Sequence, residues 1–155
     1  MIKTTIGEVI NQVIDTSEHH LYVYRDGDTV FYVGQSGSPA DRLMEHLGKD
    51  RPWVPDRVGT VILENMPQSN QWQIEMYTLR DCIEFMRTQA VLNFYVEHLD
   101  NLLFRRELIN DAEDAMIGQL KPCLNIIKNT RNRARLPEKY QPNKNTIANE
   151  GVKLG

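Results

Sequence analysis

The chain has only two cysteines, Cys82 and Cys123, and neither belongs to a CxxC pair or a Cys/His zinc pattern. Neither a zinc site nor a redox pair is therefore predicted, and both residues, which lie in apolar contexts far apart in the sequence, are predicted to be reduced thiols of the core. No apolar run approaches the roughly 20 residues needed to cross a bilayer. The first residues, MIKTTIGEVINQ, lack the basic and apolar regions of a secretory signal. We therefore expect a cytoplasmic protein with no membrane partner.

The chain also lacks the overall positive charge that is typical of nucleic-acid-binding proteins, since its net charge is −3. The charge is unevenly distributed, however: residues 1–120 carry −9 and residues 121–155 carry +6. Within the basic end, residues 128–145 (KNTRNRARLPEKYQPNKN) are poor in apolar side chains. This composition is typical of a flexible arm that follows a phosphate backbone, or of a tail that only keeps the protein in solution.

The hydrophobic pattern of the first half predicts a helix, a hairpin and a second helix. Thr4 and Thr5 can cap an amphipathic helix that ends near Thr16. The runs LYVYR and TVFYVG are separated by DGD, which is typical of a tight hairpin turn. Ser38 and Pro39 then precede a helical segment, DRLMEHLGKD, and the prolines of RPWVPDR indicate a loop.

The second half predicts further strands and then helices. The β-branched run VGTVILENM indicates a third strand, and WQIEMYTL a fourth. From residue 80 to about residue 120 the pattern is helical, with expected breaks near Asp100 and Asn110. The predicted fold class is α+β, with a small, mostly antiparallel sheet of three to four strands flanked by helices.

Several polar residues of the hairpin and the next helix are spaced so that they can meet. Tyr22 and Tyr24 share one strand face, and Tyr32 lies on the partner strand. Arg42 and His46 are four residues apart and share one face of the following helix. Taken singly, such tyrosines usually pack in a core, and such an arginine or histidine is usually solvated. Their joint spacing favours a site instead.

These residues resemble the GIY-YIG nuclease superfamily. HLY at residues 20–22 stands where the family has GIY, and Tyr32, Val33 and Gly34 match YIG with one conservative change. An arginine ten residues after the second tyrosine, and a histidine four residues later, also belong to the pattern. The chain has Arg42 and His46 at these positions.

The resemblance continues near the C-terminal end. Residues 112–125, AEDAMIGQLKPCLN, are similar to the segment that carries the family's glutamate and terminal asparagine, which assigns Glu113 and Asn125. Glu97 and Glu107 are alternative carboxylates, but neither is followed by a proline and an asparagine at the right distance. The resemblance covers residues 20–127.

Two departures from the family pattern are visible. His20 stands where the family has its first glycine, which leaves open whether Tyr22 or Tyr24 is the first family tyrosine. Tyr22 keeps a separation of ten residues from Tyr32 and is the one we assign. The second departure is an insertion at about residues 48–105.

Together, the hydrophobic pattern, the resemblance and the charge distribution predict three segments. Residues 1–19 would form an N-terminal amphipathic helix packed on the core, residues 20–127 the nuclease-like domain, and residues 128–155 a basic arm. The insertion would carry substrate recognition or a homodimer contact, or would only enlarge the core.

The resemblance also implies a metal-dependent DNA endonuclease, whose partner is duplex or branched DNA. Hydrolysis of a phosphodiester needs a base, an aligned water and positive charge near the phosphate. Tyr22 would be the base, with its phenolate favoured by Arg42, the metal and a hydrogen bond from Tyr32 or His46. His46 could instead relay the proton itself.

The remaining residues would bind the metal and the DNA. Glu113 would bind Mg²⁺, with Mn²⁺ as an alternative, and Arg42 would donate two hydrogen bonds to non-bridging oxygens of the phosphate. Asn125 would have a positioning role, and the missing side chain of Gly34 would let the phosphate approach. Basic residues of the arm would contact the DNA backbone: Lys128, Arg131, Arg133 and Arg135.

Two other classes of function fit the same residues. A DNA-binding or interaction module that has lost catalysis would retain DNA in a salt-dependent way without cleaving it. A structural protein would do neither.

Overall fold

The computed structural model describes residues 1–50, 52–86, 100–126 and 134–142. Its four-stranded sheet has the order β1-β4-β2-β3, and all neighbouring strands are antiparallel. The strands are β1 (Ile2–Thr5), β2 (His19–Asp26), β3 (Thr29–Gln35) and β4 (Gln73–Thr78). The predicted α+β fold with a small antiparallel sheet is therefore confirmed.

Helices pack on both faces of this sheet. They are α1 (Ile6–Asn11), α2 (Pro39–His46), α3 (Arg57–Glu64), α4 (Leu79–Phe85) and α5 (Leu102–Leu120), with 3₁₀ turns at Gln68–Gln71 and Glu138–Tyr140. Within the described residues, no helix combines the length and the apolar character that a membrane crossing requires.

Alternation along β2 separates two buried clusters. Tyr22 and Tyr24 pack with residues of α1, α2 and α3, whereas Leu21 and Val23 pack with residues of α4 and α5. Successive side chains of a strand point to opposite faces, so the sheet lies between two layers of helices. Cys82 is in the second cluster and Cys123 in the first, and both are free and buried as predicted.

The predicted hairpin is confirmed, with one irregularity. β2 and β3 pair around a turn in which Gly27 has a φ of 54°, a value that glycine adopts without strain. Tyr22 lies opposite Gly34 and Tyr24 opposite Tyr32, but the register then shifts so that Arg25 lies opposite Val30. The shift is a β-bulge in β3.

The prediction of a strand at VGTVILENM was wrong, because these residues form most of α3. Asp56 caps this helix, and its carboxylate accepts a hydrogen bond from the amide of Gly59 at 2.9 Å. Val58, Val61 and Ile62 are buried at helical spacing. Their β-branched side chains suggested a strand, but the cap and the burial of one helix face decide the structure.

The extra strand of the sheet is β1, at a position where a helix was predicted. Thr5 caps α1 as expected, and Glu8 completes the capping box. The helix ends at Asn11, however, rather than near Thr16, and Val13 is fully exposed. The N-terminal segment is therefore a strand followed by a short helix.

The helical prediction for residues 80–120 was right in type and wrong at one break. α5 begins just after the break expected near Asp100, with Asn101 as its N-cap, but it continues through Asn110 without interruption. It ends where Lys121 adopts a left-handed φ of 50°. Residues 87–99 lie outside the described residues.

Candidate active site

The predicted tyrosine cluster and His46 meet on the face of the sheet covered by α2. The hydroxyl of Tyr22 lies 2.9 Å from Nε2 of His46, and both residues are 1% exposed. The rings of Tyr24 and Tyr32 lie 5.9 and 5.4 Å from the His46 ring. His46 reaches them because it is the last residue of α2, which follows directly from the hairpin.

Asp56 completes this arrangement, and sequence reasoning missed it. Its Oδ2 lies 2.5 Å from Nδ1 of His46, while Oδ1 caps α3. The signal was present: an aspartate precedes apolar residues at helical spacing, which is typical of a helix start. It was overlooked because α3 was predicted to be a strand.

Gly59 allows α3 to approach α2 closely enough for this contact. A Cβ atom at Gly59 would lie 1.6 Å from the carbonyl oxygen of His46. The amide of Asp56 also donates to the same carbonyl at 3.1 Å. The start of α3 is thus fixed against the end of α2, and Asp56 is held beside His46.

The hydrogen bonds define the protonation pattern of the site. Because the carboxylate of Asp56 accepts from Nδ1, Nε2 of His46 is left to accept from the Tyr22 hydroxyl. Burial lowers the pKa of His46, although Asp56 acts in the opposite direction. The imidazole is therefore neutral at pH 7.

Tyr22 is a phenol rather than a phenolate at neutral pH. Burial raises its pKa well above the ordinary value, Tyr32 adds to this rise, and the Arg42 guanidinium opposes it. Arg42 lowers this pKa as expected, but desolvation of the buried hydroxyl outweighs its positive charge.

Gly34 is required by packing against the two tyrosines. A Cβ atom there would lie 2.5 Å from the hydroxyl oxygen of Tyr22 and 2.7 Å from Cε1 of Tyr32. The sequence suggested that this glycine lets a phosphate approach. The structure gives a nearer reason, since the missing side chain leaves room for the Tyr22 hydroxyl beside its cross-strand neighbour.

Arg42 lies one helical turn before His46, near the tyrosine hydroxyls. Its guanidinium forms an ion pair with Glu45, which raises the pKa of Arg42. About 40% of the Arg42 side chain is exposed. The guanidinium is therefore accessible beside Tyr22 and His46, which are both buried.

Glu113 enters the site from α5. It is 8% exposed, and its Oε2 accepts a hydrogen bond from Nε2 of Gln35 at 2.5 Å. Gln35 also donates to Oδ1 of Asn110 at 2.8 Å. Burial is the main cause of the raised pKa of Tyr32, and the charge of Glu113 contributes to the rise.

Asn125 holds the strand between the two motif residues of β3. Its Oδ1 accepts from the amide of Val33 at 2.9 Å, and its Nδ2 donates to the carbonyl of Val33 at 2.8 Å. Because β3 is an edge strand, this side chain acts as its hydrogen-bonding neighbour on the outer side. Tyr32 and Gly34 lie on either side of Val33, the residue that Asn125 bonds.

Tyr24 packs beside the site without joining its hydrogen bonds. The side chain is fully buried, and its hydroxyl has no hydrogen-bond partner among the residues that the structure describes. Tyr22, by contrast, bonds His46.

The predicted DNA-binding arm is described only in part. Arg135 is exposed and lines a shallow cavity with Arg57, Cys123 and Leu136. Lys128, Arg131 and Arg133 lie outside the described residues, as does Glu97. The other alternative carboxylate, Glu107, is exposed on α5.

A metal ion would have to fit a site with few protein ligands. In residues 1–50, 52–86, 100–126 and 134–142, no group of three or more His, Cys, Asp or Glu side chains is placed to hold an ion. Mg²⁺ does not require such a group, since it keeps several waters and takes further oxygens from a substrate phosphate. The oxygen ligand of Glu113 therefore fits this ion.

In a comparison with protein families, residues 1–141 match the family described as the GIY-YIG catalytic domain. The matched residues run from β1 through the 3₁₀ turn at Glu138–Tyr140 and contain each site residue described above. A search of curated proteins and a search of solved structures return no match.

Proposed function

The chain belongs to the GIY-YIG catalytic domain family, and from this premise we propose that it is a metal-dependent DNA endonuclease. The observation that carries the proposal is the hydrogen-bonded chain from Tyr22 through His46 to Asp56, with the accessible guanidinium of Arg42 beside Tyr22. A phenol, a neutral imidazole and a carboxylate in series can move a proton, and a guanidinium can bind a phosphate.

In the proposed reaction, His46 makes Tyr22 a base. The attacking water gives a proton to the hydroxyl oxygen of Tyr22 while the proton of Tyr22 passes to Nε2 of His46. Asp56 stabilises the imidazolium that forms, as a carboxylate does in other acid–base sites. The hydroxide attacks phosphorus, the bond to the leaving oxygen breaks, and that oxygen is protonated from the imidazolium or from solvent.

Arg42 and Tyr32 would contact the scissile phosphate. Arg42 exchanges its exposed partner Glu45 for two non-bridging oxygens, at little cost because a solvent-exposed ion pair contributes little stability. Tyr32 is less buried than Tyr22 and offers its hydroxyl to the same phosphate.

Glu113 would hold Mg²⁺ or Mn²⁺, with Gln35 fixing the direction of its carboxylate. The bound ion would supply positive charge to the phosphate oxygens. Asn125 and Gly34 have positioning roles in this proposal, because one holds β3 and the other makes room for Tyr22.

The proposal extends to the setting of the enzyme. Its substrate is duplex or branched DNA, and its two free, buried cysteines suit the reducing cytoplasm. The segment around residues 48–105 and the basic arm are the parts available for recognition of DNA or for a homodimer contact.

Plasmid nicking tests the proposal. Supercoiled plasmid is incubated with Mg²⁺ and the purified protein, or with its Glu113→Gln, Arg42→Ala and Glu107→Gln variants. Nicking should be lost in the first two variants and retained in the third, which changes an exposed carboxylate on the same helix. Equal nicking by all four proteins would contradict the proposal.

The same experiment separates an inactive DNA-binding module from the enzyme. Retention of labelled DNA that weakens with salt, together with an absence of Mg²⁺-dependent nicking in every protein including the unmodified chain, would favour the module.

A further inference from the structure

Two adjoining cavities lie beside the candidate site and have no role in the reaction proposed above. One, of 520 Å³, is lined by residues that include Thr78 and Arg80, and the other, of 340 Å³, by residues that include Arg106. Both cavities are lined by His20 and Arg105. The two cavities therefore adjoin at these residues, and we call them together the basic groove, defined by His20, Arg80, Arg105 and Arg106.

The basic groove concentrates positive charge on an acidic part of the chain. Residues 1–120 carry a net charge of −9 and contain ten Lys and Arg, three of which line this groove. Arg80 and Arg106 are exposed. Among the described lining residues, Glu18 is the one acid. A local excess of positive charge on an acidic surface attracts a polyanion to one place.

The basic groove leads directly to Glu113. Arg105, Arg106, Ile109 and Glu113 share one face of α5, since they follow one another at helical spacing. Gln35, which bonds Glu113, also lines the groove. With a rise of about 1.5 Å per residue, the two arginines lie about 10 to 12 Å along the helix from Glu113.

This distance suits a nucleic-acid strand that passes through the site. Successive phosphates of one strand advance about 3.4 Å along the axis of B-form DNA, so the arginines would meet phosphates about three nucleotides from the one at Glu113. We propose that the basic groove binds the phosphate backbone of the DNA strand that extends from the cleavage site. The inference rests on the proposed function and adds a binding surface separate from the arm.

The groove also accounts for the departure at His20, where the family pattern has glycine. The carbonyl of His20 accepts from the amide of Ser36 at 3.0 Å, which ties the start of β2 to the loop before α2. Its side chain lines both cavities. Burial lowers the pKa of His20, and the positive charge of Arg105 acts in the same direction. A neutral imidazole there can donate one hydrogen bond to a phosphate oxygen.

Binding measured without cleavage tests the inference. Fluorescence anisotropy with a labelled duplex is recorded over a salt series for Glu113→Gln alone and for Glu113→Gln combined with Arg80→Ala, Arg106→Ala or Lys3→Ala. Lys3 is the control, because β1 is the sheet edge opposite β3. Thermal unfolding of each protein shows that the variants are folded.

Each groove variant should bind more weakly at low salt and lower the slope of log K against log salt by about one unit, while Lys3→Ala leaves the slope unchanged. The inference would be overturned by an unchanged slope in both arginine variants, or by a failure of the Glu113→Gln protein to bind the duplex. Nicking by the unmodified chain is scored separately. If the unmodified chain does not nick DNA but the groove variants lower the slope, the proposed enzyme activity is contradicted and the groove is supported. If the chain nicks DNA but the slope does not depend on the groove, the activity is supported and the groove is contradicted.

Discussion

Nδ1 of His46 lies 2.5 Å from Oδ2 of Asp56, and the other oxygen of the same carboxylate caps α3 at the amide of Gly59. One side chain therefore starts a helix and orients a buried imidazole. The position of His46 therefore depends on the start of α3. The hydrogen bond that Nε2 of His46 accepts from the Tyr22 hydroxyl depends on it as well.

Asp56→Asn should slow cleavage by about a hundredfold, at the low end of what general acid–base catalysis contributes. The neutral amide still caps α3, so stability should change little, but it cannot stabilise an imidazolium. Asp56 raises the pKa of His46 against the larger effect of burial. Removing its charge lowers that pKa, so the acidic limb of the rate profile should move to lower pH. Single-turnover cleavage as a function of pH measures both effects.

Asp56→Ala is the matched comparison. It should show the same loss of rate together with a loss of about 1 kcal/mol of stability, because the cap is removed as well. A pH profile that is unchanged in Asp56→Asn would contradict a role of Asp56 beside His46.

Tyr22→Phe and Tyr24→Phe should differ sharply. Tyr22→Phe removes the hydroxyl that bonds His46 and should abolish cleavage. The Tyr24 hydroxyl is buried without a partner among the described residues, so its removal should leave cleavage intact and stability equal or higher by about 1 kcal/mol. Plasmid nicking and urea unfolding measure the two properties. Loss of nicking in Tyr24→Phe alone would instead make Tyr24 the base.

The local pattern of the sequence was sufficient for the hairpin and for the meeting of its tyrosines with His46. Strand alternation and a helix that starts soon after the hairpin leave few other arrangements. The same reasoning failed at VGTVILENM, where β-branched residues indicated a strand and the cap at Asp56 was not weighed against them.

The fourth strand and the protonation of Tyr22 depend on distant contacts. Residues 2–5 form a strand because they pair with β4, which lies about 70 residues later in the chain. The raised pKa of Tyr22 comes from burial by several elements at once. Neither effect can be read from a short stretch of sequence, because each depends on residues that are distant along the chain.

Gly34→Ala should reduce both cleavage and stability. Its methyl group would lie 2.5 Å from the hydroxyl oxygen of Tyr22, and relief of such crowding typically costs about 1 to 3 kcal/mol. The displaced hydroxyl would lose its hydrogen bond to His46. Gly118→Ala is the control, because no described atom lies within 4 Å of a Cβ at that exposed position of α5. Nicking by Gly118→Ala should equal that of the unmodified protein and its stability in urea should be equal or slightly higher, and equal losses in both variants would contradict the packing argument.

Asn125→Ala should lower the stability of the protein, and the loosened site should then lower the rate of cleavage. The substitution leaves the amide and carbonyl of Val33 without their side-chain partners on the outer edge of β3, at a cost of about 1 to 3 kcal/mol. Tyr32 and Gly34 flank Val33, so the site should loosen and the rate should fall less than in Tyr22→Phe. Urea unfolding and single-turnover cleavage well below the melting temperature separate the two effects. Complete loss of cleavage at unchanged stability would show that Asn125 contacts the substrate rather than holding the strand.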